Sequence, residues 1–120
     1  MNRMITIALL AGLCSAPAMA GELKVIDAEA RFPEGPVWHD GKLYYTEYAG
    51  HTVKTWDGLR ATEFWTSEGC GPSAIAPFAE GFLVTCYDAG SMVRISKDGK
   101  TSATIDRDET GAAFIGPMFG

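Results

Sequence analysis

Glu34 is the residue of this chain whose surroundings point most specifically to chemistry. It lies in the run FPEGPVW at residues 32–38, directly before a Gly-Pro pair. A carboxylate held at such a turn can bind a divalent cation, but a hard cation such as calcium takes about six to eight oxygen ligands. Glu34 is therefore a candidate metal ligand where other oxygen donors surround it. Without them it is an ordinary exposed carboxylate.

The other polar candidates are weaker. His39 and His51 stand beside turn glycines, which is typical of exposed loop residues. Ser73 follows a Gly-Pro pair, but no Gly-x-Ser-x-Gly run surrounds it, so a nucleophilic serine is not indicated. The acidic residues at 106–109 resemble a calcium loop only loosely, because the glycine and the closing glutamate of such a loop are out of place. An exposed acidic turn is the simpler interpretation.

Two stretches of the chain, at 35–58 and 71–99, repeat one pattern and must position these side chains. Matching residues are offset by 36 at the Gly-Pro pair, by 39 at a Thr-x-Tyr run and by 40 at the glycine and valine that follow. A repeat of about 40–45 residues with several strands in each unit is typical of a β-propeller blade. A third Gly-Pro pair, Gly116-Pro117, would begin another unit.

Turn dipeptides and β-branched or aromatic runs predict four strands in each unit. We expect an early strand at 23–26 and a turn at 32–36, because two prolines and a glycine within five residues do not suit a central strand. The predicted strands are 36–38, 43–46, 52–56 and 61–66 in the first unit and 73–76, 81–85, 92–96 and 102–105 in the second. The fold class is all-β.

The first twenty residues are typical of a secretory signal peptide. Arg3 is followed by an apolar run at 5–13 and by the small-x-small sequence Ala18-Met19-Ala20. We expect cleavage after Ala20 and a periplasmic or secreted product. The net charge of −5 and the lack of a Lys/Arg cluster argue against a nucleic-acid partner. No later apolar run is long enough to span a membrane.

Cys70 and Cys86 are the cysteines that remain after the leader. An oxidising compartment permits a disulfide between them. Cys86 lies near a strand end, however, where it could equally be a small buried apolar residue. The sequence leaves this pairing open.

The Glu-Gly-Pro-x-Trp run at 34–38, the blade-like spacing and the Gly-Pro pair at 116–117 resemble the gluconolactonase / senescence-marker-protein / luciferin-regenerating-enzyme family. The resemblance covers about residues 31–120. It implies a six-bladed propeller that hydrolyses sugar lactones and related esters with one calcium or zinc ion. It also implies that Glu34 is a ligand of that cation, together with two asparagines and an aspartate from later blades. Met118 stands where the first of those asparagines would be.

The length allows about two blades and the start of a third, so we expect a partial six-bladed propeller. By resemblance this is the N-terminal part of a secreted metal-dependent lactone or ester hydrolase, incomplete and inactive by itself. Its small-molecule partner would be a lactone or ester, and we expect no tight binding of the cation by this chain. A non-catalytic propeller used for binding or as a scaffold is the alternative. Oligomeric state is left open.

Overall fold

The computed structural model describes residues 21–119, and the predicted signal peptide lies outside them. Eight β-strands follow one another along this part of the chain. The first four are β1 (Pro33–His39), β2 (Lys42–Glu47), β3 (Thr52–Trp56) and β4 (Ala61–Thr66). The second four are β5 (Pro72–Phe78), β6 (Gly81–Cys86), β7 (Ser91–Ile95) and β8 (Thr101–Ile105).

The strands form two separate four-stranded antiparallel sheets, in the orders β1-β2-β3-β4 and β5-β6-β7-β8. Each sheet is a simple meander, as the sequence repeat predicts, and β5 lies against β1 and β2. Among residues 21–119 no helix is long and apolar enough to cross a membrane.

The strand register relates the two sheets by a spacing of 39 residues in their first three strands, except at the bulges of β1 and β5, where Glu34 opposite Thr46 corresponds to Ala74 opposite Thr85, an offset of 40. Equivalent pairs are Pro33–Glu47 and Pro72–Cys86, Leu43–Trp56 and Phe82–Ile95, and Glu47–Thr52 and Cys86–Ser91. The offset of 36 at the Gly-Pro pair is therefore three residues too short, and the offset of 40 at the following glycine and valine is one residue too long. The Gly-Pro pair at 35–36 lies inside its strand, whereas the pair at 71–72 lies at the start of its strand.

The segment 32–36 is largely part of β1, so the prediction of a turn there is wrong. The pairing of β1 with β2 shifts between Glu34 and Val37, which marks a bulge. Because β1 is an edge strand, its prolines do not remove hydrogen bonds from the centre of a sheet. Gly35 has a φ of 52°, and a Cβ at this position would lie 3.1 Å from the Cα of Ala74 in the other sheet.

The core lies between the two sheets. The ring of Phe82 packs against that of Tyr44 at a centroid distance of 4.5 Å and against that of Phe64 at 5.8 Å. Other buried members of this core are Val53, Trp65, Ile75, Val84, Val93 and Ile95. Burial of these apolar side chains holds one sheet on the other.

Residues 21–31 do not form the strand expected at 23–26, and the side chains of Leu23 and Val25 are exposed. An extended segment becomes a strand only where a partner strand accepts its hydrogen bonds, and 23–26 has none among the described residues. The following stretch runs back over the face of the first sheet that points away from the second. Asp27 anchors it there by accepting a hydrogen bond from the Tyr45 hydroxyl at 2.7 Å.

Candidate functional site

Glu34 lies near the start of β1, directly opposite Thr46 of β2. The Thr46 hydroxyl donates a hydrogen bond of 3.1 Å to the Glu34 carbonyl oxygen, which fixes the backbone while the side chain stays exposed. Ser73 follows Pro72 in the second sheet as Glu34 follows Pro33 in the first. Each sheet therefore presents one side chain at the same end of its first strand, β1 or β5.

A cavity of about 300 Å³ opens at this end of the two sheets, and we call it the mouth. Its lining residues are Glu34, Tyr48, Ser73, Tyr87 and Met118. The Ser73 hydroxyl bonds with that of Thr85 at 2.8 Å and donates to the carbonyl oxygen of Pro117 at 3.4 Å. The structure thus brings together Glu34 and Met118, the two positions that the sequence connected with a cation.

The donors at the mouth do not make up a complete cation site. Glu34 offers a carboxylate and Ser73 a hydroxyl, while the Met118 thioether is a poor ligand for a hard cation. Over residues 21–119, no group of three or more histidine, cysteine, aspartate or glutamate side chains is arranged to hold a metal ion. A cation bound by Glu34 would need further oxygen donors.

Two tyrosines at the mouth were missed in the sequence. Tyr48 and Tyr87 are equivalent residues, 39 positions apart, and each follows the second strand of its sheet. Their ring centroids are 6.4 Å apart and the ring planes are inclined by 66°. The Thr-x-Tyr run that revealed the repeat contains both, so a search for side chains shared by both units would have found them.

Tyr48 also joins the two sheets through a hydrogen bond. Its hydroxyl donates to Asp88 Oδ1 at 2.5 Å. This hydrogen bond is the main reason that the pKa of Tyr48 is raised above its ordinary value. The phenol therefore stays protonated, and the bond to the Asp88 carboxylate is kept.

Cys70 and Cys86 form a disulfide, which settles the pairing that the sequence left open. Both residues are buried. The peptide N–H groups of Tyr87 and Asp88 donate to the carbonyl oxygens of Gly71 and Cys70. The crosslink and these bonds hold the segment that carries Tyr87 and Asp88 against the start of β5.

The weaker candidates have structural roles. His51 Nδ1 accepts a hydrogen bond from the Gly71 N–H at 3.1 Å and so ties the first sheet to the start of the second. His39 is the last residue of β1 and is half-buried, so the expectation of an exposed loop residue is wrong there; its ring packs edge-on against that of Phe82 with centroids 5.2 Å apart. The Ser73 hydroxyl bonds to that of Thr85 and to the carbonyl oxygen of Pro117.

The acidic segment at 106–109 is part of a turn closed by its own backbone. Asp108 Oδ1 accepts hydrogen bonds from the N–H and hydroxyl of Thr110 and from the N–H of Ala112. These bonds, the Thr110 hydroxyl first, lower the pKa of Asp108. The carboxylate thus stabilises the turn, as the simpler interpretation predicted.

A second polar cluster, also missed in the sequence, lies on the far face of the first sheet. Lys54 Nζ is 2.7 Å from Asp27 Oδ2 and 3.6 Å from Glu47 Oε2. Glu47 also accepts from the Arg31 N–H at 2.7 Å and from the Thr52 hydroxyl at 2.5 Å. The hydrogen bond from Lys54 is the main cause that lowers the pKa of Asp27. Burial, and then the bond to Asp27, raise the pKa of the Tyr45 phenol.

Comparison with known proteins supports the fold. A solved structure of streptogramin B lyase, a β-propeller, matches 74% of this chain with a TM-score of 0.56 and 19% sequence identity. The match covers 30% of the lyase chain, so this chain spans about a third of its length. No protein-family model matches the sequence. No curated protein matches it significantly. The two sheets are two blades of a partial β-propeller.

Proposed function

We propose that the mouth is part of the active site of a metal-dependent lactone or ester hydrolase of the propeller type, with Glu34 as one ligand of a calcium or zinc ion. The observation that supports this most is the position of Glu34. Its carboxylate is exposed and lines a cavity near the start of β1, and its backbone is fixed by Thr46. Propeller proteins commonly use such mouths for ligands, and a carboxylate oxygen is a suitable donor for either ion.

The proposal requires donors beyond those in residues 21–119. Successive units present Glu34, Ser73 and Met118 at the mouth, one side chain from each. Further blades would add further side chains at the same place, and oxygen donors among them would complete a coordination shell. Because the described residues do not suffice, we derive no catalytic step through the ion.

Export of the protein is part of the same proposal. The leader-like sequence at 1–20 predicts it, and the Cys70–Cys86 disulfide supports it because such bonds persist in oxidising compartments.

A calorimetric titration of the metal-free chain with calcium and with zinc tests the role of Glu34. We expect weak binding, with a dissociation constant on the order of 10⁻⁴–10⁻³ M or weaker. Glu34→Gln should abolish it, because the amide keeps the shape of the side chain but loses its charge. Glu63→Gln, an exposed change on the outer strand β4, is the matched control and should bind like the wild type.

Hydrolysis is tested separately by following acid release from a sugar lactone in a pH-stat. The chain alone should show no metal-dependent rate. A rate that chelator removes and added calcium or zinc restores would support the reaction class and contradict the incompleteness of the site. Heats of binding unchanged in Glu34→Gln would contradict the role of Glu34.

Ligand binding without catalysis is the second candidate function. Met118 favours it, because a thioether at the mouth suits contact with an organic ligand better than coordination of a hard cation.

A further inference from the structure

We propose that the mouth binds an organic ammonium cation between the rings of Tyr48 and Tyr87, with Glu34 as the balancing charge. This goes beyond the proposed hydrolase function and does not need a metal ion.

The mouth carries negative charge. Among the residues that line the cavity, Glu34 is charged and none is a lysine or arginine. Asp88 adds a second carboxylate close by, since it accepts the hydrogen bond of the Tyr48 hydroxyl. A small cation that enters the cavity therefore meets negative charge and no competing positive side chain. An anionic ligand would be repelled.

The two tyrosine rings are arranged so that a cation can contact both. Cations bind over aromatic faces within about 6 Å of the ring centroid. The two rings meet edge to face with centroids 6.4 Å apart and planes inclined by 66°, so one cation in the corner that they form can lie within that distance of both centroids. Two inclined rings form a corner, and paired aromatic walls with a nearby carboxylate suit quaternary ammonium groups.

Both rings are held in place before a ligand arrives. The Tyr48 hydroxyl is bound to Asp88, and a hydrogen bond to a carboxylate makes the ring more electron-rich. Gly116 lies against Tyr87 so closely that a Cβ there would be 2.6 Å from the ring. Ordered rings lower the entropic cost of binding. The volume of about 300 Å³ is at the lower end of the range for small-molecule pockets.

An NMR titration of the ¹⁵N-labelled full chain, kept metal-free with EDTA, tests the proposal with choline as the probe. Choline should shift the amides of Tyr48 and Tyr87 saturably. The neutral analogue 3,3-dimethyl-1-butanol, in which carbon replaces the charged nitrogen, should bind at least about fivefold more weakly. Equal binding of the two compounds would overturn the proposal.

Variants test the rings directly. Tyr87→Leu should weaken choline binding about fivefold, while Tyr87→Phe, which keeps the ring, should retain it. Phe78→Leu is the control, because Phe78 is an exposed aromatic residue at the opposite end of β5. Loss of binding in Tyr87→Phe as severe as in Tyr87→Leu would contradict a role for the ring face.

The outcome is separable from that of the proposed function. Choline binding in EDTA with no calcium or zinc binding would leave this inference standing and contradict the role of Glu34 as a cation ligand in this chain. Calcium or zinc binding through Glu34 with no choline binding would do the reverse.

Discussion

Lys54 is the cation of the polar cluster on the far face of the first blade. Its ammonium group lies between Asp27 and Glu47, whose side chains are 9% and 3% exposed. Lys54→Met would leave both carboxylates without their cation, and we expect a loss of about 2 kcal/mol in the free energy of unfolding. The loss is no larger because Lys54 itself is partly exposed to solvent. Denaturant unfolding measures this loss.

Lys100→Met is the matched control for that change. Lys100 is 3.9 Å from Asp98 in a well exposed pair, so its removal should cost less than about 1 kcal/mol. Equal effects of the two substitutions would contradict the assignment of the Lys54 cluster as a stabilising contact.

The Asp27 carboxyl makes the same cluster sensitive to acid. Its pKa is lowered in the folded chain, chiefly by the hydrogen bond from Lys54. The stabilisation that comes with a lowered pKa is fully present when the pH is above the pKa of the unfolded chain, about 3.9. It is lost as the pH falls through the pKa of the folded chain. Stability measured between about pH 6 and pH 2 should therefore fall more steeply in the wild type than in Asp27→Asn. Parallel curves would contradict the contact.

Single residues were the part that the sequence predicted least well. Glu34 was identified because its Glu-Gly-Pro-x-Trp run resembles the motif of a known family, and the structure places it at a cavity. Tyr48 and Asp88 come from different blades, and Asp27 meets Lys54 across 27 positions of sequence. Such contacts depend on how blades and segments pack, which local patterns do not contain.

At the scale of elements, the disulfide connects the start of β5 to the end of β6. It closes a loop of 16 residues by sequence separation, so its reduction should lower the free energy of unfolding by about 3 kcal/mol. Unfolding with and without dithiothreitol measures the effect. The double variant Cys70→Ala/Cys86→Ala should be similarly destabilised and insensitive to the reductant. A wild-type chain whose stability does not change on reduction would contradict this prediction.

Strand positions were largely predictable, because turn dipeptides and alternation are local signals. The predictions for β3 and β4 match the structure residue for residue. The failures have physical reasons. The start of β1 was assigned to a turn because prolines do not suit a central strand. The structure accommodates them because β1 is an edge strand with a bulge. Residues 23–26 have strand-like composition but no partner strand among the described residues.

At the scale of the whole molecule, Phe82 lies at the centre of an aromatic contact between the blades. It is 2% exposed and its ring meets those of Tyr44 and Phe64. Phe82→Ala should cost about 3–5 kcal/mol, because it leaves a cavity between the sheets. Phe82→Leu should cost less, and Phe78→Ala, at a side chain that is 46% exposed, should cost little. Similar losses at Phe82 and Phe78 in thermal unfolding would contradict this core.

The repeat predicted the overall architecture correctly as blades of a propeller, although its alignment was shifted. A 39-residue spacing places equivalent positions such as Val84 and Tyr45 on equivalent faces, yet Val84 is in the core and Tyr45 contacts Asp27. The difference follows from what each face packs against, since the second blade covers one face of the first and residues 27–31 lie over the other.

The central claim is that Glu34 and its neighbours form a binding mouth at one end of the two blades. The location of a bound cation tests this claim most directly. Substoichiometric Mn²⁺ added to the ¹⁵N-labelled chain broadens the amide signals nearest to the ion. We predict the strongest broadening at Gly35, Tyr48 and Ser73, and its loss in Glu34→Gln. Broadening centred on the acidic turn at 106–109, or unchanged in Glu34→Gln, would contradict the account.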